Sequence, residues 1–386
     1  MVNEHLTKIR PFIVMDVLER AQELERAGHD VVHLEVGEPD FETPEAIKEA
    51  AIRALRDGKT HYTHSLGIIE LREAICNFYE DTYGVKDLDP DQVVVTSGTS
   101  PAFLIALALV LSREDEIILS DPGYACYPNF ARFIGAVPRF VRVEESNGFQ
   151  YDVDTVKSLI TARTKAIMIN SPSNPTGQIT ESERLQAIAN LGLWVFSDEI
   201  YHGLVYDGVK AHSALEFTDR CFVFNGFSKL YAMTGWRLGY VIVPKNFIKT
   251  VKCMVQNFFI SANAVSQYAA YEALTNPEVA RDVKKMVKVY DERRRFMVNL
   301  LKEIGFGIAK EPKGAFYVFA NASRFGQDSY RLAFDILEHA HVGVTPGIDF
   351  GANGEGFLRF SYANSLERIE EGLRRIKRYL HEQAQP

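Results

Sequence analysis

CFVFNGFSKLYAMTGWRLGYVIVP, residues Cys221 to Pro244, is the stretch on which the reading of this chain turns. CFVFNGF and GYVIVP are short apolar runs of the kind that form buried strands. Between them stand Lys229 and, at a spacing of eight residues, Arg237, with Ser228, Thr234 and Gly235 nearby. Lysine is a compact amine that burial can tune and that can form a Schiff base with a carbonyl. Arginine is a planar fork matched to phosphate oxygens. On one loop with small hydroxyl and glycine positions, the pair suits a ligand carrying both an aldehyde and a phosphate. A surface lysine and a structural arginine would give the same letters, and for isolated residues that is the commoner case. The apolar run ahead of Lys229 favours an interior loop.

Upstream, from Gln92, apolar strands alternate with helical segments. The strands are QVVVT, EIILS, PRFVRV, KAIMIN and LWVFSDE; the helices between them are expected over 99–112, 124–134, 153–161 and 180–191. Regular succession of this kind implies an α/β fold with a mostly parallel sheet covered by helices on both faces. Ligands of such sheets bind beyond the carboxyl ends of the strands. Four polar groups fall there. Ser97-Gly98-Thr99 lies between a strand and its helix, where amides and hydroxyls face an anion at the helix N-terminus, although capping alone explains such a triplet. Tyr124, in DPGYACYP, presents a ring able to stack on another aromatic. Asn174 opens an N-P-T-G turn. Asp198 closes a buried strand with Tyr201 three residues on; a carboxylate there needs a partner to stay charged, and helix capping is the structural alternative.

The flanks complete the architecture. Phe12 to Ala27 has helical spacing, VVHLEV reads as a strand, and Gly37-Glu38-Pro39-Asp40 is a turn whose glycine lets backbone approach a ligand. A helix over 44–57 leads to the aromatic, polar loop His61-Tyr62-Thr63-His64. Two histidines without a third ligand do not make a metal site. Residues 245–305 read as helices, the last long and amphipathic. Then KGAFYVFA, a helix over 328–340, VGVTPG and GFLRFSYA alternate again before a basic amphipathic helix. Arg359 sits inside an apolar strand, where an unpaired charge is costly. The expected division is an N-terminal arm and part of a small domain over 1–44, a large domain over 45–280, and a small C-terminal domain over 281–386.

The chain's 386 residues suffice for roughly two or three domains. With 46% hydrophobic and 24% charged residues it has an ordinary globular composition, and a net charge of -8 argues against nucleic acid or an anionic membrane as partner. Cys76, Cys126, Cys221 and Cys253 are scattered and form no C-x-x-C pair, which suggests reduced thiols. The start, MVNEHLTKIRPF, lacks the apolar core of a signal peptide. The most apolar run, Ala102 to Leu111, is half of the roughly 20 residues that span a bilayer. A cytoplasmic protein is expected.

The lysine segment and four further motifs, in order along nearly the whole chain, resemble the pyridoxal-phosphate-dependent aminotransferases of fold type I, class I/II. The resemblance implies that Lys229 holds pyridoxal phosphate as a Schiff base and moves the α-proton of an amino substrate. It implies that Arg237, Ser97, Gly98, Thr99 and Ser228 anchor the phosphate, with Tyr62 reaching across a homodimer to the other subunit's phosphate. Tyr124 would stack on the pyridine, Asn174 and Tyr201 would meet its phenolic oxygen, and Asp198 would pair with the ring nitrogen. Arg359 would bind the substrate α-carboxylate, with Gly37 beside it. The implied reaction moves an amino group between an amino acid and a 2-oxo acid.

Two departures stand out. The family often has a serine where this chain has Gly226, so Gly226→Ser is expected to tighten cofactor binding. Some aspartate-specific relatives have a lysine where this chain has Ser100, which leaves alanine, branched or aromatic donors open. A carbon-sulfur β-lyase shares the cofactor residues and is the alternative enzyme. A non-catalytic amino-acid sensor is the alternative of another class.

Overall fold

Seven strands make the central sheet, in the spatial order Val93–Thr96, Gly239–Ile242, Cys221–Gly226, Trp194–Asp198, Thr164–Asn170, Glu116–Asp121, Val137–Arg142. This is a computed structural model that describes residues 6–383; Met1–His5 of the expected arm and Ala384–Pro386 of the expected small domain lie outside the described residues. Neighbouring strands run parallel except Gly239–Ile242, which is antiparallel to both its neighbours. The reason is local. A parallel return needs a crossover, usually a helix, and the segment 227–238 holds none, so the chain comes straight back beside Cys221–Gly226. All six residues of Cys221–Gly226 are buried, as the apolar run Cys221–Phe224 suits a strand covered on both faces.

Helices cover both faces, packing on separate apolar clusters that include Val95, Ile167 and Val223 on one side and Val94, Met168 and Phe224 on the other. The alternation expected from sequence is present, with some elements trimmed. The helix expected over 124–134 runs only from Tyr127 to Phe133, with proline in its first turn. One helix was not anticipated. Ile69–Tyr83 buries Leu71, Ile75, Tyr79 and Tyr83, spaced four apart on one face, and ends where Gly84 adopts φ 73°.

A second layer system is built from both ends of the chain. Thr345–Pro346, Phe357–Ser361 and Tyr317–Asn321 form an antiparallel sheet, while Val32–His33 pairs in parallel with Val342–Gly343. Val32 and Leu34 share one apolar cluster with Val318, Phe360 and Ile369, which ties the first strand to the last elements. Only two residues of the expected VVHLEV strand pair as strand. The chain then bends at Glu35 and runs on to Gly37, and the carbonyls of these two residues serve the site instead. Helix Pro277–Ile304 starts in the core of the large sheet at Val279 and ends in the second core with Met297 and Leu301.

Candidate active site

The loop after Cys221–Gly226 delivers Lys229 beside the turn expected at Gly37, whose carbonyl oxygen accepts from the lysine Nζ at 2.6 Å. Burial lowers the lysine pKa to about 8; Arg359 and Arg237 push the same way, while Glu38 and Asp198 oppose them. An amine so poised is partly uncharged near neutrality, as a nucleophile or a proton acceptor must be.

Arg237 closes the same loop with a positive φ of 52°, an uncommon conformation for a side chain of this size. Its Nη1 donates to the Thr234 carbonyl at 2.9 Å. A Cβ added to Gly98 would stand 2.6 Å from Arg237 Nη2, so the guanidinium packs where only glycine leaves room. Gly98 is also the cap of helix Thr99–Val110, whose first amides receive no side-chain cap. Open helix amides, an arginine and the Thr99 and Ser228 hydroxyls are the kinds of group that suit a phosphate.

Across the cavity, Asp198 ends its strand nearly fully buried. The Tyr127 hydroxyl donates to Oδ2 at 2.5 Å and the Ile200 amide to Oδ1 at 3.2 Å. Burial raises this carboxyl to about 6, against the pull of Tyr127, Ile200 and Lys229. No cationic side chain among the described residues stands within ion-pair distance of it. A positively charged ring nitrogen would supply the missing partner.

Arg359, 2% exposed, likewise has no carboxylate partner among the described residues. Its Nη1 donates to Asn174 Oδ1 at 2.9 Å and its Nη2 to Thr345 Oγ1 at 3.0 Å and to the Glu35 carbonyl. The guanidinium lies over Tyr317 and Phe350, while Nε is buried without a partner. A desolvated arginine with a spare donor is a site for a carboxylate.

These groups surround one cavity of about 340 Å³. Gly37, Thr99, Tyr124, Asn174 and Asp198 line it, as do Tyr201, Ser228, Lys229, Arg237 and Arg359. Ser97 is exposed and lines the adjoining cleft with Thr234 and Arg237. Tyr62 is 82% exposed and does not reach the cavity within its own chain. Asn174 has its side-chain oxygen engaged with Arg359, and the Tyr201 hydroxyl is 2.8 Å from that of Tyr317.

Sequence reasoning missed Tyr127, Tyr317, Asn170 and Glu38. Tyr127 had a signal, a second tyrosine three residues after Tyr124. Tyr127→Phe should raise the Asp198 pKa further and lower turnover about tenfold, as loss of one hydrogen bond to a charged group does; an unchanged rate would show that the bond does not matter.

The expectation for Gly226 is corrected. A Cβ there would meet the Gly239 Cα at 2.9 Å and the Leu238 carbonyl at 3.1 Å, because Gly226 pairs with Gly239 across the sheet. A serine has no room to reach a phosphate. Gly226→Ser should instead destabilise the protein by about 1–3 kcal/mol in denaturant titration.

Taken together, the groups around Arg237, the unpaired buried carboxylate and the tuned amine match the phosphate, ring nitrogen and aldehyde of pyridoxal phosphate. Known proteins agree. The family described as "Aminotransferase class I and II" matches residues 29–376. A (5-formylfuran-3-yl)methyl phosphate transaminase of Methanocaldococcus jannaschii is 44% identical, covering 99% of this chain and 100% of its own. A Methanococcus jannaschii structure described as similar in its active site to kynurenine aminotransferases has a TM-score of 0.91 at 44% identity, covering 98% of this chain and 100% of that one. Thermus thermophilus aspartate aminotransferase with maleate has a TM-score of 0.93 at 38% identity, covering 98% and 99%. A match that spans both sheets and the loop bearing Lys229 places this chain in the class I and II aminotransferases, which depend on pyridoxal phosphate.

Proposed function

We propose that this aminotransferase takes its amino group from an amino acid with an apolar or aromatic side chain and passes it to a 2-oxo acid, using Lys229, Asp198 and Arg359 as its working groups. The observation that carries the substrate class is the inventory of cations. Lys229, Arg237 and Arg359 are the lysines and arginines of this cavity, and each has an assigned partner: aldehyde, phosphate and α-carboxylate. Among the described residues of one chain, no fourth cation lines it to meet a second substrate carboxylate. The wall contributed by the first helix and its approach is Phe12, Val14, Met15 and Leu18. Such a surface favours an apolar side chain by desolvation.

Bound pyridoxal phosphate supplies an electron sink for the negative charge that develops at the substrate α-carbon. The protein does the rest. Arg359 fixes the α-carboxylate and so the orientation of the bond to the α-hydrogen. Lys229 accepts that proton and returns it, for which burial has already lowered its pKa. Asp198 keeps the ring nitrogen protonated, with Tyr127 and the Ile200 amide holding the carboxylate in its charged form. Ser97, Gly98, Thr99, Ser228 and Arg237 hold the phosphate, Tyr124 covers the ring, Asn174 and Tyr201 serve its phenolic oxygen, and Gly37 lies beside the substrate.

A homodimer with shared sites accounts for Tyr62. The loop bearing it is tied down by Gln267, which donates to Thr63 Oγ1 at 3.0 Å and accepts from the Ile68 amide at 2.8 Å. Phe258 and Phe259 are exposed shortly before the helix Ala264–Thr275 that carries Gln267. Mixing inactive Tyr62→Ala and Lys229→Ala subunits should restore activity, since one site of each mixed dimer has both residues; no recovery would argue against sharing. No described helix is long and apolar enough to cross a membrane, and we place the enzyme in the cytoplasm. The domain limits proposed are residues 44 and 280, supported by the passage of helix Pro277–Ile304 from one core to the other.

The test of the donor class is a screen of amino acids against the cofactor-loaded protein. Leucine, phenylalanine or tyrosine should exceed aspartate and glutamate by about a hundredfold in kcat/KM; aspartate at the top of the ranking would overturn it.

A further inference from the structure

The segment His33–Gly37 touches both working cations of the site through its backbone. The Gly37 carbonyl accepts from Lys229, and the Glu35 carbonyl accepts from Arg359 and, at 3.1 Å, from Thr345 Oγ1. The position of the Glu35 carbonyl therefore sets where the Arg359 guanidinium rests. Glu35 itself is an unusual residue to find there. Its side chain is 0% exposed, with its carboxylate beside His33 and Gly343.

One carboxylate oxygen is 2.6 Å from His33 Nδ1, and the other is buried without a partner. The ring of His33 is held on its far side by Glu25 at 3.2 Å, and its carbonyl accepts from Asn364 Nδ2 at 3.0 Å. Opposite the carboxylate lies Gly343, where a Cβ would stand 2.1 Å from Glu35 Oε2. The protein thus buries a charge, supplies one cation for it, and keeps the facing position free of a side chain. A buried carboxylate costs stability unless paired, so packing alone does not account for it. The Glu35 bond holds His33 charged, raising its pKa to about 9.

We propose that Glu35 is a positioning residue for substrate carboxylate binding: pinned by His33, it fixes the main-chain carbonyl that orients Arg359. This rests on the reading of Arg359 as the carboxylate site. A misplaced guanidinium weakens binding of the carboxylate while leaving Lys229 and Asp198 in place. Because Arg359 also orients the bond to the α-hydrogen, kcat falls a little, but KM for the amino donor rises more.

The experiment compares Glu35→Ala, Glu35→Gln, His33→Gln and Arg359→Lys as pyridoxal-phosphate-loaded enzymes. It measures kcat and KM for the best amino donor and the inhibition constant of the matching carboxylic acid without the amino group. Glu35→Ala should raise KM and that inhibition constant together, roughly tenfold, with kcat within about threefold of the parent. Glu35→Gln, which can still bond to His33, should recover part of the loss, and His33→Gln should fall between them. If Glu35→Ala does not fold, the ordering of the two glutamine variants against the parent decides, and parental KM in both overturns the proposal. Lowered thermal stability with KM unchanged, or kcat falling in step with kcat/KM, would also overturn it. Arg359→Lys separates the two claims. A raised KM there with parental Glu35 variants defeats only the positioning role, whereas an unchanged KM in Arg359→Lys defeats the carboxylate site itself.

Discussion

Lys229→Ala should lower turnover by about ten-thousandfold or more, at the upper end of what positioned acid–base groups contribute, because one side chain serves two purposes. In the proposed mechanism it is both the amine that binds the cofactor's aldehyde and the proton carrier at the α-carbon. Among the described residues no other lysine lines the cavity, so no neighbour in the chain can substitute. The substitution should leave the fold intact, since the amine's hydrogen bond is to a single backbone carbonyl, that of Gly37. Borohydride treatment of the cofactor-loaded parent should add the phosphopyridoxyl mass to the peptide bearing Lys229, and the variant should show no such adduct. Turnover within tenfold of the parent would remove Lys229 from the mechanism.

Asp198→Asn should cost on the order of a thousandfold in turnover, comparable to removing a preorganised electrostatic group elsewhere. Asparagine keeps the shape and can still meet Tyr127 and the Ile200 amide, but it cannot pair with a protonated ring nitrogen. The same change should act oppositely on the cofactor-free protein. Burial raises the folded carboxyl to about 6, above its unfolded value, so between roughly pH 4 and pH 6 the folded state binds the extra proton. Stability is lost as pH rises through that window, and above it the charged, buried carboxylate is a net burden. Asp198→Asn apoprotein should therefore be more stable than the parent at pH 7 by about 1–3 kcal/mol, with the difference shrinking towards pH 4. Urea titrations at the two pH values check this. A variant less stable at both would mean that Asp198 is held by contacts stronger than its desolvation.

Much of the site could be read from the chain because local sequence carries it. Lys229, Asp198 and Arg359 each follow or interrupt an apolar strand, and a charge in that setting needs a purpose whatever the fold. Gly98 and Thr99 announce themselves by preceding a helix. The sheet was legible for a similar reason, since strands buried on both faces are apolar throughout. What remained hidden depends on pairs distant in sequence. Tyr127 matters only because its helix lies against the end of the Asp198 strand, 71 residues on. The misjudgement of Gly226 has the same origin: nothing near it in sequence says that Gly239 lies opposite at contact distance. Glu35 looked like one polar letter in VVHLEV, and only the third dimension shows its carboxylate buried against His33 while its carbonyl holds Arg359. Helix Ile69–Tyr83 is less legible because its apolar letters are not confined to the Leu71, Ile75 and Tyr79 row: Ala74, Cys76 and Phe78 intervene, and the charged Arg72 is buried too.

The most direct measurement of the central claim is a single-turnover reaction with leucine or phenylalanine and no 2-oxo acid present. Aminotransfer through one set of groups predicts one equivalent of 2-oxo acid per active site, conversion of the cofactor's absorption to that of pyridoxamine phosphate, and a halt until a 2-oxo acid is added. Parallel mixing with a cysteine conjugate tests the β-lyase alternative. Continuous release of ammonia and pyruvate from it, with no stoichiometric amino transfer from any amino acid, would contradict the assignment.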